Sequence, residues 1–321
     1  MPGRIPKIVV IGPAYVDMAV KCNEAPPPGQ TVQGSGFSYT PAGPGPNRAI
    51  EAALCGCETY LLGKVGDDAF GEMVRENLGN YSINTDFVYT AKAKSTGVIV
   101  TMVDSIGENR SCICAGANRA LRGDEVACAA AEQLIGSADV CLIHADLPRD
   151  VVTAAITTAS LYKTKVILET PLTTMSGDKP HNADWPIEYY SANILIPDFG
   201  KSTGATELGA GAVHKLKLIG SELVAGGIEC VVVNMGPRGA LVVDRQGTCH
   251  INGFELDIID HNGSADAFAG ALAASCGAGD KPKDAVRFAA AAAALARASF
   301  GSLDALPLKE SIIELLQNQP D

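Results

Sequence analysis

No stretch of this 321-residue chain is apolar for long enough to cross a bilayer. The longest uninterrupted run, residues 288–296, falls far short of the ~20 residues a spanning helix requires. A secretion signal is not expected either. Arg4 and Lys7 precede only a short apolar run, soon interrupted by Pro13 and Asp17, with no cleavage pattern behind it. Metal-type cysteine spacing is also missing. Of the ten cysteines, the close pairs are Cys55/Cys57 and Cys112/Cys114, each lacking the two-residue gap of a zinc or redox pair. The five histidines are scattered, so no structural zinc is expected. The thiols read instead as small buried hydrophobes in a reducing cytoplasm. Basic charge is scarce: 25 Lys and Arg face 36 Asp and Glu, a formal net charge of −11. That balance argues against a nucleic-acid partner. It also leaves any phosphate-binding site to local geometry and a divalent cation.

What is present suits a well-cored globular protein, with 47% hydrophobic and 19% charged residues. Such a length accommodates about two ordinary domains or one large α/β domain with an insertion. Short apolar β-type runs at residues 7–11, 58–65, 140–144, 165–168, 191–196, 231–234 and 240–244 alternate with helical patterns. Those helical patterns cover 47–56, 70–78, 125–135, 149–160, 265–276 and 283–298. This rhythm predicts a doubly wound, mostly parallel α/β sheet flanked by helices. Four half-polar alternating segments, within about 15–40 and 96–115, are expected to form a small antiparallel sheet beside it. No linker divides residues 1–321, which read as a single domain carrying that subdomain. Ligands of such sheets sit outside the carboxyl ends of the strands. Asp17, Asp146, Asp198, Asn234 and Asp266 all follow predicted strands closely.

The stretch from Glu255 to Cys276 carries the clearest chemistry. Leu256, Ile258 and Ile259 predict a strand, Asp260-His-Asn-Gly263 a loop, and the Ala-rich segment from Ala265 a helix. A helix N-terminus presents unpartnered amides to an anion. Asp266, in its first turn, either complements the dipole or faces whatever those amides hold. Pro41-Ala-Gly-Pro-Gly-Pro-Asn47 is a second loop opening a helix, in which Gly43 and Gly45 permit close backbone approach. Asn47 is there either an N-cap or a ligand-binding amide. Asn234-Met-Gly-Pro-Arg-Gly239 reads as a hairpin turn or a ligand loop.

In order and spacing these segments resemble the ribokinase-like, PfkB-type carbohydrate kinases over nearly the whole chain. Ala42-Gly-Pro-Gly-Pro-Asn47 with Leu62-Gly-Lys-Val-Gly-Asp-Asp-Ala-Phe-Gly71 carries the early signature. Asp260-His-Asn-Gly-Ser-Ala-Asp266 carries the late one, and Gly107-Glu-Asn109 with Ala115-Gly-Ala-Asn-Arg-Ala-Leu121 is closest in pattern to ribokinases. The resemblance implies ATP-dependent phosphorylation of a hydroxymethyl group on a pentose such as ribose, or on a related hexose. Asp266 would be the base, with the amides of Gly263, Ser264 and Ala265 as anion hole. Tyr15, Asp17, Gly43, Gly45, Asn47 and Asp146 would bind the sugar. Asp198, Lys201, Asn234, Gly236 and Gly239 would bind the nucleotide. Mg²⁺ is implied as cofactor, and K⁺ at Asp260 and Asn262. A homodimer formed through the β lid is implied as well.

The departures from the pattern fall inside the signatures. Pro44 stands for a common lysine, Tyr15 for asparagine and Ala265 for glycine. Asp198 and Lys201 replace the asparagine and glutamate of a Pro-Asn-x-x-Glu segment, and His261-Asn262 replace two usually β-branched residues. Lysine does not support a hydrated cation as a carboxylate does, though it reaches phosphate directly. Three readings follow: an active sugar kinase with altered metal handling, a weakened homologue that binds sugar or nucleotide, and a nucleoside kinase.

Overall fold

Alternation within the first strand sets the layers. In β1 (Lys7–Ile11), Ile8 and Val10 face one hydrophobic cluster while Val9 and Ile11 face another. A strand buried on both faces lies in mid-sheet. A computed structural model describes residues 4–106, 109–172, 185–198 and 210–320. After β1 come β2 (Tyr15–Cys22), β3 (Gly34–Ala42), α1 (Pro44–Leu54), β4 (Glu58–Gly66), α2 (Ala69–Asn80), β5 (Val88–Ala91), β6 (Gly97–Val103) and β7 (Asn109–Cys114). A 3₁₀ turn at Gly116–Ala120 leads to α3 (Gly123–Val126), α4 (Ala129–Gly136), β8 (Val140–His144), α5 (Arg149–Tyr162) and β9 (Lys165–Pro171). Next are β10 (Ile194–Asp198), α6 (Ala210–Ala225), β11 (Cys230–Asn234), β12 (Ala240–Asp244) and β13 (Gly247–Ile251). The last helices are α7 (Ser264–Ala278), α8 (Pro282–Arg297) and α9 (Lys309–Asn318).

Among the described residues the main sheet has nine strands in the order β13-β12-β11-β10-β9-β8-β1-β4-β5. It is parallel from β11 to β5, and only the β11–β12 and β12–β13 pairings are antiparallel. Helices α1, α2, α7, α8 and α9 contribute to one cluster, and α3, α4, α5 and α6 to the other. The strand order reverses at β1, which pairs with β4 on one side and β8 on the other. That reversal opens the crevice where ligands of such sheets bind.

The second sheet, β3-β2-β6-β7, corrects one expectation. It is mixed, because β2 and β6 run parallel while the outer pairings are antiparallel. The chain passes through the main sheet between β2 and β6, so β6 re-enters in the direction of β2 rather than through a hairpin. Two further expectations fail locally. Residues 256–259 form no strand: Ile259 and Asp260 donate their amides to the Arg297 carbonyl at the end of α8, and among the described residues no strand pairs with them. A β-branched run still needs a ladder to become a strand. The predicted helix at 125–135 divides into α3 and α4, with extended backbone at Cys128 between them. The short β5, the edge strand β13 and the C-terminal α9 were not expected from the pattern.

Candidate active site

The early glycine loop holds the start of α1 against the carboxyl end of β1. Gly43, the N-cap of α1, has φ +106, and a Cβ there would lie 2.8 Å from the Tyr15 ring. Side chains are thus excluded by both conformation and space. One turn on, two donors reach α7. Asn47 Nδ2 donates to Asp266 Oδ2 at 2.9 Å, and Arg48 Nε donates to Asp266 Oδ1 at 3.0 Å. The helices meet closely because Gly270 lies over Glu51; a Cβ on Gly270 would stand 2.6 Å from the Glu51 Cβ.

Asp266 occupies the first turn of α7, whose N-cap Gly263 is left-handed at φ +75. A Cβ on Gly263 would collide with the Ser302 carbonyl oxygen. Ala265 lies within α7 and has no positive φ, so its methyl imposes no backbone strain. The first-turn amides of Ser264, Ala265 and Asp266 have no acceptor inside the helix, which leaves them available to an anion. The loop before α7 is tied down by Asp260. Its carboxylate accepts from the Asn262 amide at 3.0 Å and from the Gly301 amide at 3.1 Å.

Behind Asp266 runs a chain of buried polar groups. Arg48 is 2% exposed, and its Nη2 donates to Glu169 Oε1 at 2.8 Å. Its Nη1 is buried without a partner. Burial pushes the Glu169 carboxyl above its ordinary value, against the pull of Arg48. Burial, and then the charge of Arg48, hold His144 well below the usual imidazole range, so the ring is neutral. The Asp146 amide donates to His144 Nδ1 at 3.2 Å. The ring proton therefore belongs on Nε2, which stands 3.6 Å from Glu169 Oε1.

On the lid side, Arg119 Nη2 meets Asp146 Oδ1 at 2.6 Å. Burial, and then the Asp146 charge, raise the Tyr15 phenol to about 12, so it remains a neutral donor. Asn118 fixes the entry to β2, accepting from the Ala14 amide at 2.9 Å and donating to the Ala14 carbonyl at 2.8 Å. Asp17 lies within β2 rather than beyond a strand end. It accepts from Thr101 Oγ1 at 3.3 Å, and burial raises its carboxyl.

Elsewhere on the main sheet, the turn after β11 is shaped by Asn234, whose Oδ1 accepts from the Gly236 amide at 2.9 Å. Gly236 and Gly239 both have positive φ. Asp198 closes β10, the strand between β9 and β11, and its charge acts on Glu169. Lys201 lies outside the described residues.

Direct bonds therefore join Asn47 to Asp266, while Tyr15 and Asp146 interact beside them. Asp17, Asp198 and the 234–239 turn stand on other elements, β2, β10 and the end of β11. Sequence reasoning missed Arg48, Glu169, His144 and Arg119. The available signals were a charge inside an apolar helix at 48, a polar residue ending β8 at 144 and a charge inside the buried strand β9 at 169.

A family model described as pfkB family carbohydrate kinase matches residues 5–309. The ribokinase of Bacillus subtilis is 29% identical over 312 residues, covering 96% of this chain and 99% of that one. The deoxyribokinase of Salmonella typhi is 26% identical over 267 residues, covering 83% and 84%. Among solved structures, the Arabidopsis thaliana ribokinase complexed with ribose and ATP superposes with a TM-score of 0.85 at 24% identity, covering 98% of this chain and 99% of that chain. A nucleoside kinase of Methanocaldococcus jannaschii shares the fold at a TM-score of 0.76 and 15% identity, covering 99% and 100%. The chain thus belongs to the pfkB family of carbohydrate kinases and is a sugar phosphotransferase.

Proposed function

We propose that this enzyme transfers the γ-phosphoryl group of ATP to a hydroxymethyl group of a pentose such as ribose, or of a related hexose. The carrying observation is the setting of Asp266, a carboxylate at a helix N-terminus whose neighbour Asn47 holds a buried Oδ1 with no donor. A hydroxyl bound there would supply that missing donor and come within reach of the base. As the hydroxyl oxygen bonds to phosphorus, its proton passes to Asp266 and the bond to ADP breaks. The amides of Ser264 and Ala265 stabilise the charge on the moving group. Tyr15, Asp17, Gly43, Gly45 and Asp146 orient the sugar, and Asn234, Gly236 and Gly239 the nucleotide. A ribokinase and a deoxyribokinase among the relatives favour a pentose.

Among the described residues no three His, Cys, Asp or Glu side chains are arranged to hold a metal by themselves. An exposed carboxylate such as Asp198 fits a hydrated Mg²⁺ that keeps most of its ligands from water and phosphate. When bound, Mg²⁺ offsets phosphate charge. Asp260 and Asn262 remain the proposed K⁺ site, tested by replacing K⁺ with Na⁺ in the assay. No described helix is long and apolar enough to cross a membrane, and we place the enzyme in the cytoplasm.

The test is ADP release with Mg-ATP and a panel of pentoses, hexoses and nucleosides. Pentose- or hexose-dependent ADP formation is expected. Turnover with nucleosides alone would move the acceptor class. Sugar binding without turnover would make the protein a binding homologue.

A further inference from the structure

The buried ion pairs behind Asp266 are more elaborate than a helix-start carboxylate requires. Asp266 sits in the first turn of a helix and accepts from Asn47. Yet it also takes the Nε donor of an arginine that is 2% exposed, and that arginine spends a second donor on Glu169. Taking three charges out of water is costly, and replacing such buried pairs by apolar residues is often neutral or stabilising. Stability alone is therefore a weak reason for this arrangement. Geometry offers a stronger one.

A guanidinium is a rigid planar fork, so anchoring one edge fixes the direction of the other. Glu169 holds Nη2 and thereby aims Nε at Asp266 Oδ1. His144, fixed by the Asp146 amide at Nδ1, sets its Nε2 toward the same Glu169 oxygen. The chain Asp146–His144–Glu169–Arg48–Asp266 thus runs from the acceptor side of the crevice to the base, across β8, β9, α1 and α7.

We propose that Arg48 and Glu169 are positioning residues for phosphoryl transfer: Glu169 orients the guanidinium, and Arg48 fixes the carboxylate that takes the acceptor proton. This rests on Asp266 being the base. Displacing a reacting group by about 1 Å costs on the order of 10²-fold in rate.

The experiment compares R48Q, E169Q, D266N and R48Q/D266N. For each, kcat and KM for the best sugar are measured by ADP release, and sugar and ATP binding by calorimetry on the folded protein. R48Q is expected to lower kcat by about 10–10²-fold, with sugar affinity within about threefold of wild type. E169Q, which keeps a hydrogen-bond acceptor for Arg48, is expected to lose less. Because Arg48 acts through Asp266, R48Q/D266N should be no slower than D266N, a non-additivity that a purely structural role would not produce. Full turnover in R48Q beside an inactive D266N would overturn the positioning role and leave the base assignment standing. Turnover in D266N itself would remove both. If R48Q does not fold, E169Q and its double with D266N decide by the same criterion.

Discussion

Glu51 has lost almost all access to water, one turn along α1 from Arg48, and its Oε2 has no hydrogen-bond partner. Burial raises its carboxyl to about 8 from an ordinary value of 4.5, with the Cys55 thiol pulling slightly the other way. A carboxyl held protonated in the folded state stabilises fully below about pH 4.5, and that stabilisation is lost as pH rises toward 8. The whole swing is on the order of 5 kcal/mol. Urea unfolding of wild type and Glu51→Gln at pH 5 and pH 8 isolates this group, since other titrations cancel in the difference. We expect Glu51→Gln to be the more stable protein at pH 8 and to lack most of the decline between the two pH values. An unchanged decline would show that Glu51 is ionised in the fold. Arg48 shows why such residues are hard to read in advance. Its meaning lies in partners 121 and 218 positions away in the chain, and no local pattern carries that information.

Between elements, the position of Asp266 depends on how closely α1 and α7 approach. Gly270 is one turn beyond Asp266 on α7 and rests against the Arg48 carbonyl and the Glu51 side chain. The Gly270→Ala methyl would overlap both. Overpacking of this kind costs about 1–3 kcal/mol, and the displaced helix would carry Asp266 away from Asn47 and Arg48. We predict a lower melting temperature together with a fall in kcat of about tenfold or more, larger than the change in sugar KM. Loss of stability with unaltered kcat would disconnect helix spacing from catalysis. At this scale the sequence was uneven as a guide. Strands buried on both faces, such as β1 and β8, were readable because continuous apolar runs have few alternatives. The edge strand β13, Gly-Thr-Cys-His-Ile, has no such run, and 256–259 has the run without the partner.

Over the whole molecule, the early glycine loop and the loop before α7 are brought together through Asn47 and Asp266, and both loops were legible in the motifs. What the motifs did not carry was the lid's parallel pairing, which depends on the route of the chain. On one face of that lid, Phe37 and Tyr39 stack at a centroid distance of 5.7 Å while 60% and 50% exposed, and Val100 shares their face. We propose that the lid of a second copy covers this exposed apolar face. Phe37→Asp with Tyr39→Asp should shift a dimer to monomer in sedimentation velocity while leaving the fold intact. A wild-type protein that is monomeric at assay concentration would refute that pairing.

The most direct test of the central reading is the turnover of Asp266→Asn. The substitution preserves shape and keeps one of the two oxygens that now accept from Asn47 and Arg48, but removes the carboxylate that accepts the proton. At saturating sugar and Mg-ATP, we predict a kcat lower by ~10²–10⁴-fold, with sugar and ATP binding by calorimetry within about threefold of wild type. Near-normal turnover in this variant would contradict the assignment of Asp266 as the base.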